Sequence, residues 1–195
     1  MRELVFLLVL VVVYFFYMNV VRKTLYLKNV KASNGQEFLV RDLKDKQHAA
    51  NRLGNLSDTL QRVCKTCKRT VSPKDKTRVD AVERLIDKFD PARMTENIPG
   101  SSHVAYSVNK GTELSICLRD KDSNRFVDDN TVRFVAIHEL AHVMSESSGH
   151  TDEFWDNMKY LLENAISAGV YTPIDYSKSP ENYCGTKITS TPLDL

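Results

Sequence analysis

Apolar positions follow several different rhythms along the chain, and each rhythm predicts a different kind of element. From Leu4 to Val21 runs an unbroken stretch of 18 residues with no charge and one amide, Asn19, just within the ~17–25 residues that carry a helix across a bilayer. It is apolar on every face, unlike a core helix, and no small-residue cleavage site follows at Tyr17-Met18-Asn19-Val20-Val21, so the reading is an uncleaved anchor over 1–21 rather than a signal peptide. Beyond it the spacing changes to threes and fours. Leu53, Leu56, Leu60 and Val63 predict one amphipathic helix, and Val79, Val82, Ile86 and Phe89 predict a second over 76–90, closed by Pro91. Val132, Val135, Ala136, Leu140, Val143 and Met144 mark a third; Phe154, Trp155, Met158, Leu161, Leu162 and Ile166 mark a fourth, ended by Gly169. Between them, after a loop over 92–102, His103–Val108 and Glu113–Leu118 alternate in part around Asn109-Lys110-Gly111-Thr112, a hairpin signal, and Phe126 and Val127 suggest a third short strand. The tail, 170–195, holds Pro173, Pro180 and Pro192 without periodicity and reads as loop and short extended pieces wrapping the rest. The pattern therefore predicts an α+β fold, helices plus a small β-hairpin or sheet, behind an N-terminal transmembrane helix. Its parts are an anchor (1–21), a basic juxtamembrane helix and linker (22–75), and a chemistry-bearing domain with an extended tail (76–195).

Charge sharpens this division. Residues 22–78 carry 15 Lys/Arg against 5 Asp/Glu, a net of +10, whereas 79–195 carry 11 against 19, a net of −8. The basic half lies beside the expected anchor, where each Lys or Arg near an anionic leaflet contributes roughly 1 kcal/mol. Nucleic acid is the competing partner, above all for Arg62 to Arg78, but no aromatic residue is interleaved there to stack on bases, and membrane apposition or a plain solvated face is favoured. Arg22, Lys23, Lys28 and Lys31 follow the apolar run while Arg2 and Glu3 offset each other before it, so the positive-inside rule puts the catalytic part on the cytoplasmic side of a single-pass membrane protein. Cys64, Cys67, Cys117 and Cys184 would then be reduced thiols. Cys64-Lys-Thr-Cys67 lacks the second ligand pair that a structural zinc site needs.

The candidate chemistry lies on the third helix. His138-Glu139-Leu140-Ala141-His142 sets two imidazoles four residues apart, on one helical face, and turns Glu139 off their axis. That is the arrangement of a catalytic zinc site, with Glu139 as general base beside the two histidine ligands. Asp128-Asp129-Asn130 offers this helix an N-cap. Three of the five histidines fall between 138 and 150. A catalytic zinc takes three protein ligands and keeps one position open, and His150 is the leading third ligand: Ser145 to Gly149 stops the helix, Gly149 can take positive φ at the reversal, and Thr151 caps the next helix. Glu153, Glu163 and Cys117 are the rivals.

The motif followed by Gly149-His150-Thr151-Asp152-Glu153-Phe154-Trp155 resembles the small zincin domain of the SprT-like and WLM metalloproteases, and is similar to uncharacterised membrane-anchored metalloprotease-like proteins of large DNA viruses. The resemblance covers roughly 76–170. It implies a minimal zincin fold, a zinc cofactor and peptide-bond hydrolysis of a protein or peptide substrate. Tighter WLM spacing would put the third histidine at Ser148, so this loop is two residues longer. Known members of both families cut proteins crosslinked to DNA, a substrate class that the metal motif alone does not carry over. Zincins commonly bind extended peptide on the strand just before the metal helix, here Glu113 to Leu118. Tyr171, Tyr176 and Tyr183 are candidate oxyanion partners. Two other readings remain open: a non-proteolytic zinc amidohydrolase using Cys117 as third ligand, and a structural zinc-containing membrane or virion protein, which would have no need of Glu139.

Overall fold

A five-stranded mixed sheet carries the site, and much of it comes from segments that look unpromising in sequence. The computed structural model describes residues 2–17, 21, 25–101, 105–108 and 111–195. β1 (Leu27–Lys31) and β2 (Glu37–Arg41) form an antiparallel hairpin, and β3 (Met94–Glu96), β4 (Ala105–Val108) and β5 (Glu113–Ile116) complete the sheet in the order β1-β2-β3-β5-β4. β3 runs parallel to β2 and β5, whereas β4 and β5 are antiparallel with Ala105 opposite Ile116 and Val108 opposite Glu113. The expected hairpin is thus present, although Asn109 and Lys110 of its turn lie outside the described residues. Phe126 makes an isolated antiparallel bridge to Arg119 rather than a third strand.

Helices α2 (Lys46–Thr70), α3 (Lys76–Lys88), α4 (Asp129–Met144) and α5 (Asp152–Ser167) follow the predicted periodicities. α2 packs on β1, β2 and β3, α4 packs on β4 and β5, and α3 and α5 brace both. One apolar core runs from Ala32 to Cys184 and contains Leu53, Leu60, Leu85, Ile137 and Leu161, each fully buried. The segment 22–75, read as a juxtamembrane helix and linker, therefore supplies two strands and the longest helix of that core. Alternation explains the hairpin: Phe38 and Val40 are buried while Glu37 and Leu39 are exposed.

A buried ion pair ties the sheet together. Arg119, just after β5, donates through Nε to Glu96 Oε1 at 2.8 Å, with the two side chains 2% and 1% exposed. Its other nitrogens reach Asp45 at 2.7 and 2.9 Å, and the Arg41 amide donates to Glu96 Oε2 at 2.8 Å. One guanidinium thus joins β3, the end of β5 and the entry to α2.

Two sequence expectations change here. The apolar N-terminus forms α1 (Arg2–Phe16), 15 residues long with Leu4 to Val13 exposed. Among the described residues no helix is long and apolar enough to cross a membrane, and residues 18–20 of the expected anchor lie outside them. The cysteines also differ from the expected four thiols: Cys117 and Cys184 form a disulfide, leaving Cys64 and Cys67 free and buried on α2. Burial pushes both of those thiols up to about 12, so they stay protonated and unreactive. The disulfide removes Cys117 from the possible metal ligands, and with it the amidohydrolase reading built on that thiolate.

Candidate metal centre

The two helices that bear the histidines are held at a fixed angle by their caps and by the corner between them. Asp128 accepts from the amides of Asn130 and Thr131 at 2.9 and 3.1 Å, which starts α4 as expected. At its other end the Ser145 hydroxyl donates to Ala141 O at 2.8 Å and accepts from Asn157 Nδ2 of α5 at 2.9 Å. Arg84 donates to the Met144 carbonyl at 2.6 Å and pairs with Glu146. The Glu153 carboxylate accepts from the amides of Glu146 and Ser147, at 2.8 and 3.0 Å, and from the Ser147 hydroxyl. Glu153 is therefore spent on closing the corner and lies outside the histidine cluster. Gly149 has φ of +83° at the reversal, as its place in the sequence predicts.

This corner brings His150 onto the two histidines of α4. Ligand atoms of His138, His142 and His150 all lie within 4.8 Å of one another, and the Nε2 atoms of His138 and His150 are 3.1 Å apart. Two nitrogens each ~2.0–2.1 Å from a tetrahedral zinc would sit about 3.3 Å apart, close to the spacing of the His138 and His150 pair. Phe154, fully buried, packs its ring against all three imidazoles with centroids 4.8, 4.3 and 4.7 Å away. Burial, with His142 and His150 alongside, pushes His138 down to about 3, which keeps it in the neutral form that binds metal. Glu163 is exposed far along α5 and takes no part in the cluster.

One residue along α4, Glu139 lines a cavity together with His138. It is 7% exposed, its carboxylate accepts the Ser107 amide of β4, and burial pushes it up to about 7 against that hydrogen bond. The cavity, about 260 Å³, is lined by His138 and Glu139, by Ala105 of β4, by Val135, Trp155 and Met158, and by the C-terminal chain from Thr186 to Ser190.

A WLM-domain family model matches residues 39–191 of the chain, more than three quarters of its length. The chain belongs to the WLM-domain family. An uncharacterised protein of Acanthamoeba polyphaga mimivirus is 28% identical over 153 residues, 78% of this chain and 77% of that protein. An uncharacterised protein of invertebrate iridescent virus 3 is 43% identical over 82 residues, 41% of this chain and 48% of its own. The DNA-dependent metalloprotease WSS1 homolog 2 of Schizosaccharomyces pombe is 28% identical over 108 residues, covering 55% of this chain and 35% of that one. The crystal structure of Wss1 from Saccharomyces cerevisiae shares the fold, with a TM-score of 0.52, 16% identity and coverage of 73% of this chain and 94% of that one.

Within this WLM domain, sequence reasoning assigned the wrong strand to the sheet edge. β5 pairs on both sides, with β3 and β4, so β4 is the edge beside the site. It also missed a hairpin. β6 (Glu181–Tyr183) and β7 (Thr186–Ile188) fold the tail back over the cavity. The signal was the Cys184-Gly185 pair, whose φ angles of +52° and +85° form a two-residue hairpin turn. Of the three candidate oxyanion tyrosines, only Tyr183 lines the cavity, and its hydroxyl donates to Cys117 O at 2.8 Å. Tyr171 and Tyr176 pack on Phe134 instead.

Proposed function

We propose that this WLM domain is a zinc metallopeptidase that hydrolyses peptide bonds with Glu139 as general base. The observation that carries the reading is the convergence of His138, His142 and His150, with His138 and the buried carboxylate of Glu139 lining one cavity that the edge strand β4 borders. These three histidines would hold the ion, and the all-imidazole donor set and the spacing of their nitrogens suit zinc. Bound there, zinc supplies Lewis acidity and a water acidified towards neutrality. Glu139 accepts a proton at its carboxylate and returns it to the leaving amine, and the Ser107 amide holds that carboxylate in place. The outer edge of β4 positions the substrate by main-chain pairing, which tolerates many sequences and leaves selectivity to access.

Access, in this reading, comes from the N-terminus. The exposed apolar α1 associates with lipid, and the basic half, whose exposed Arg62, Lys65, Lys68 and Arg69 line one stripe of α2, faces an anionic leaflet. The fission-yeast relative is named DNA-dependent, and that same stripe is the feature of this chain that would answer to DNA.

The test uses the full-length chain with anionic vesicles and an unfolded protein substrate. Proteolysis is expected to float with the vesicles, to stop on addition of a zinc chelator and to return with added zinc. Cleavage that survives chelation would contradict the metal assignment; activity left at the bottom of the gradient would contradict the lipid assignment. Stimulation by added DNA in place of vesicles would move the basic stripe to nucleic acid.

A further inference from the structure

The C-terminal hairpin has no part in the chemistry just described, yet it forms a wall of the cavity. All three residues of β7, Thr186 to Ile188, line it, with Thr189 and Ser190 just beyond. Successive side chains of a strand point to opposite faces, so a strand presenting a face would contribute only alternate residues; a continuous run means that the strand presents its edge. The phase of that edge follows from the turn. Tyr183 pairs with Thr186 across a two-residue loop, and Asn182 pairs with Lys187. Residues flanking such a loop exchange both ladder bonds, and the next pair does not. The N–H and C=O of Lys187 therefore point away from β6.

The position of this edge is set by short connections. Cys117 follows β5 directly, and β5 pairs with β4. Cys117 is bonded to Cys184 in the turn of the hairpin, across 67 residues of sequence, and its carbonyl accepts from the Tyr183 hydroxyl. One residue thus fixes β7 relative to β4 across the cavity that holds His138 and Glu139.

We propose that β7 is a second substrate-binding strand: an extended, unfolded peptide threads between the edges of β4 and β7, with the Cys117–Cys184 disulfide positioning β7 to receive it. The inference rests on the peptidase reading above. It selects single extended segments, because a folded strand or helix already has its main chain paired. Trp155, Met158, Val135 and Ile188, which line the space between the two edges, favour an apolar side chain beside the scissile bond.

Residue-resolved amide exchange on the zinc-loaded, full-length Glu139→Gln chain tests this without turnover, using a short unstructured peptide with a central leucine. The amide of Lys187 should slow together with that of Ala105, each by about tenfold, the scale of one or two net hydrogen bonds. Slowing at Ala105 alone would overturn the inference while sparing the peptidase reading, and slowing at neither strand would overturn both. In the otherwise native chain, replacing Cys117 and Cys184 together by serine should raise KM for that peptide about tenfold, with kcat nearly unchanged and zinc retained. An unchanged KM in the folded variant would overturn the role of the disulfide.

Discussion

Glu139→Gln is expected to lower peptide turnover by at least ~10²-fold, the low end for loss of a general base, while leaving the zinc content of the chain unchanged. The substitution is nearly isosteric, and the amide oxygen of glutamine can still accept the Ser107 N–H that the carboxylate accepts now. It removes a buried ionisable group without creating a cavity, so folding should not suffer. What it removes is proton transfer. Steady-state kinetics with zinc analysis of the same preparation separates the two properties, and a variant that lost zinc along with activity would make Glu139 a ligand.

The second large effect falls on stability. Arg119→Leu leaves the Glu96 carboxylate 1% exposed with its main cationic partner gone. Breaking a buried pair from one side typically costs about 3–5 kcal/mol, a large part of the ~5–15 kcal/mol that holds an ordinary domain folded. The ring of Phe126, over which the guanidinium lies at 4.0 Å, loses one of its two cations and keeps only Arg52, at 4.8 Å. Glu96→Leu combined with Arg119→Leu should recover part of the loss, since an apolar pair of similar volume avoids the unpaired charge. Recovery will be incomplete because the Arg41 amide, which now donates to Glu96, would keep no acceptor there. Denaturant unfolding of the three variants measures this, and a double variant no more stable than Arg119→Leu would place the contribution of Arg119 in its contacts with Asp45 instead.

How legible these features were depended on how many side chains report each one. α4 and α5 bury five or more apolar positions apiece at helical spacing, and the motif on α4 is local, so the helix and the face that carries His138 and His142 could be read together. His150 was reachable because Gly149 and Thr151 mark the reversal and the next cap. The strands were harder. β3 has three residues and Met94-Thr95-Glu96 is wholly buried, but Glu96 reads as a loop residue until its partner is known to be Arg119. β1 shows solvent four of its five side chains at least in part, and the surrounding lysines gave the segment the appearance of a linker. In the tail, six residues of strand provide too few alternations to register beside three prolines. The edge strand was misassigned because sequence proximity to the HExxH helix suggested β5; β3, which pairs with β5 from the other side, makes it internal. Pairing partners distant in sequence decide each of these cases, and no local window contains them.

Zinc analysis of the purified full-length chain, with absorption spectroscopy at the zinc edge, tests the central claim most directly. The account predicts one zinc per chain, bound by three imidazole nitrogens at ~2.0–2.1 Å and one further light atom from water, and loss of that zinc in His150→Ala. A chain that takes up no zinc, that shows sulfur at ~2.3 Å, or that keeps stoichiometric zinc without His150 would contradict it.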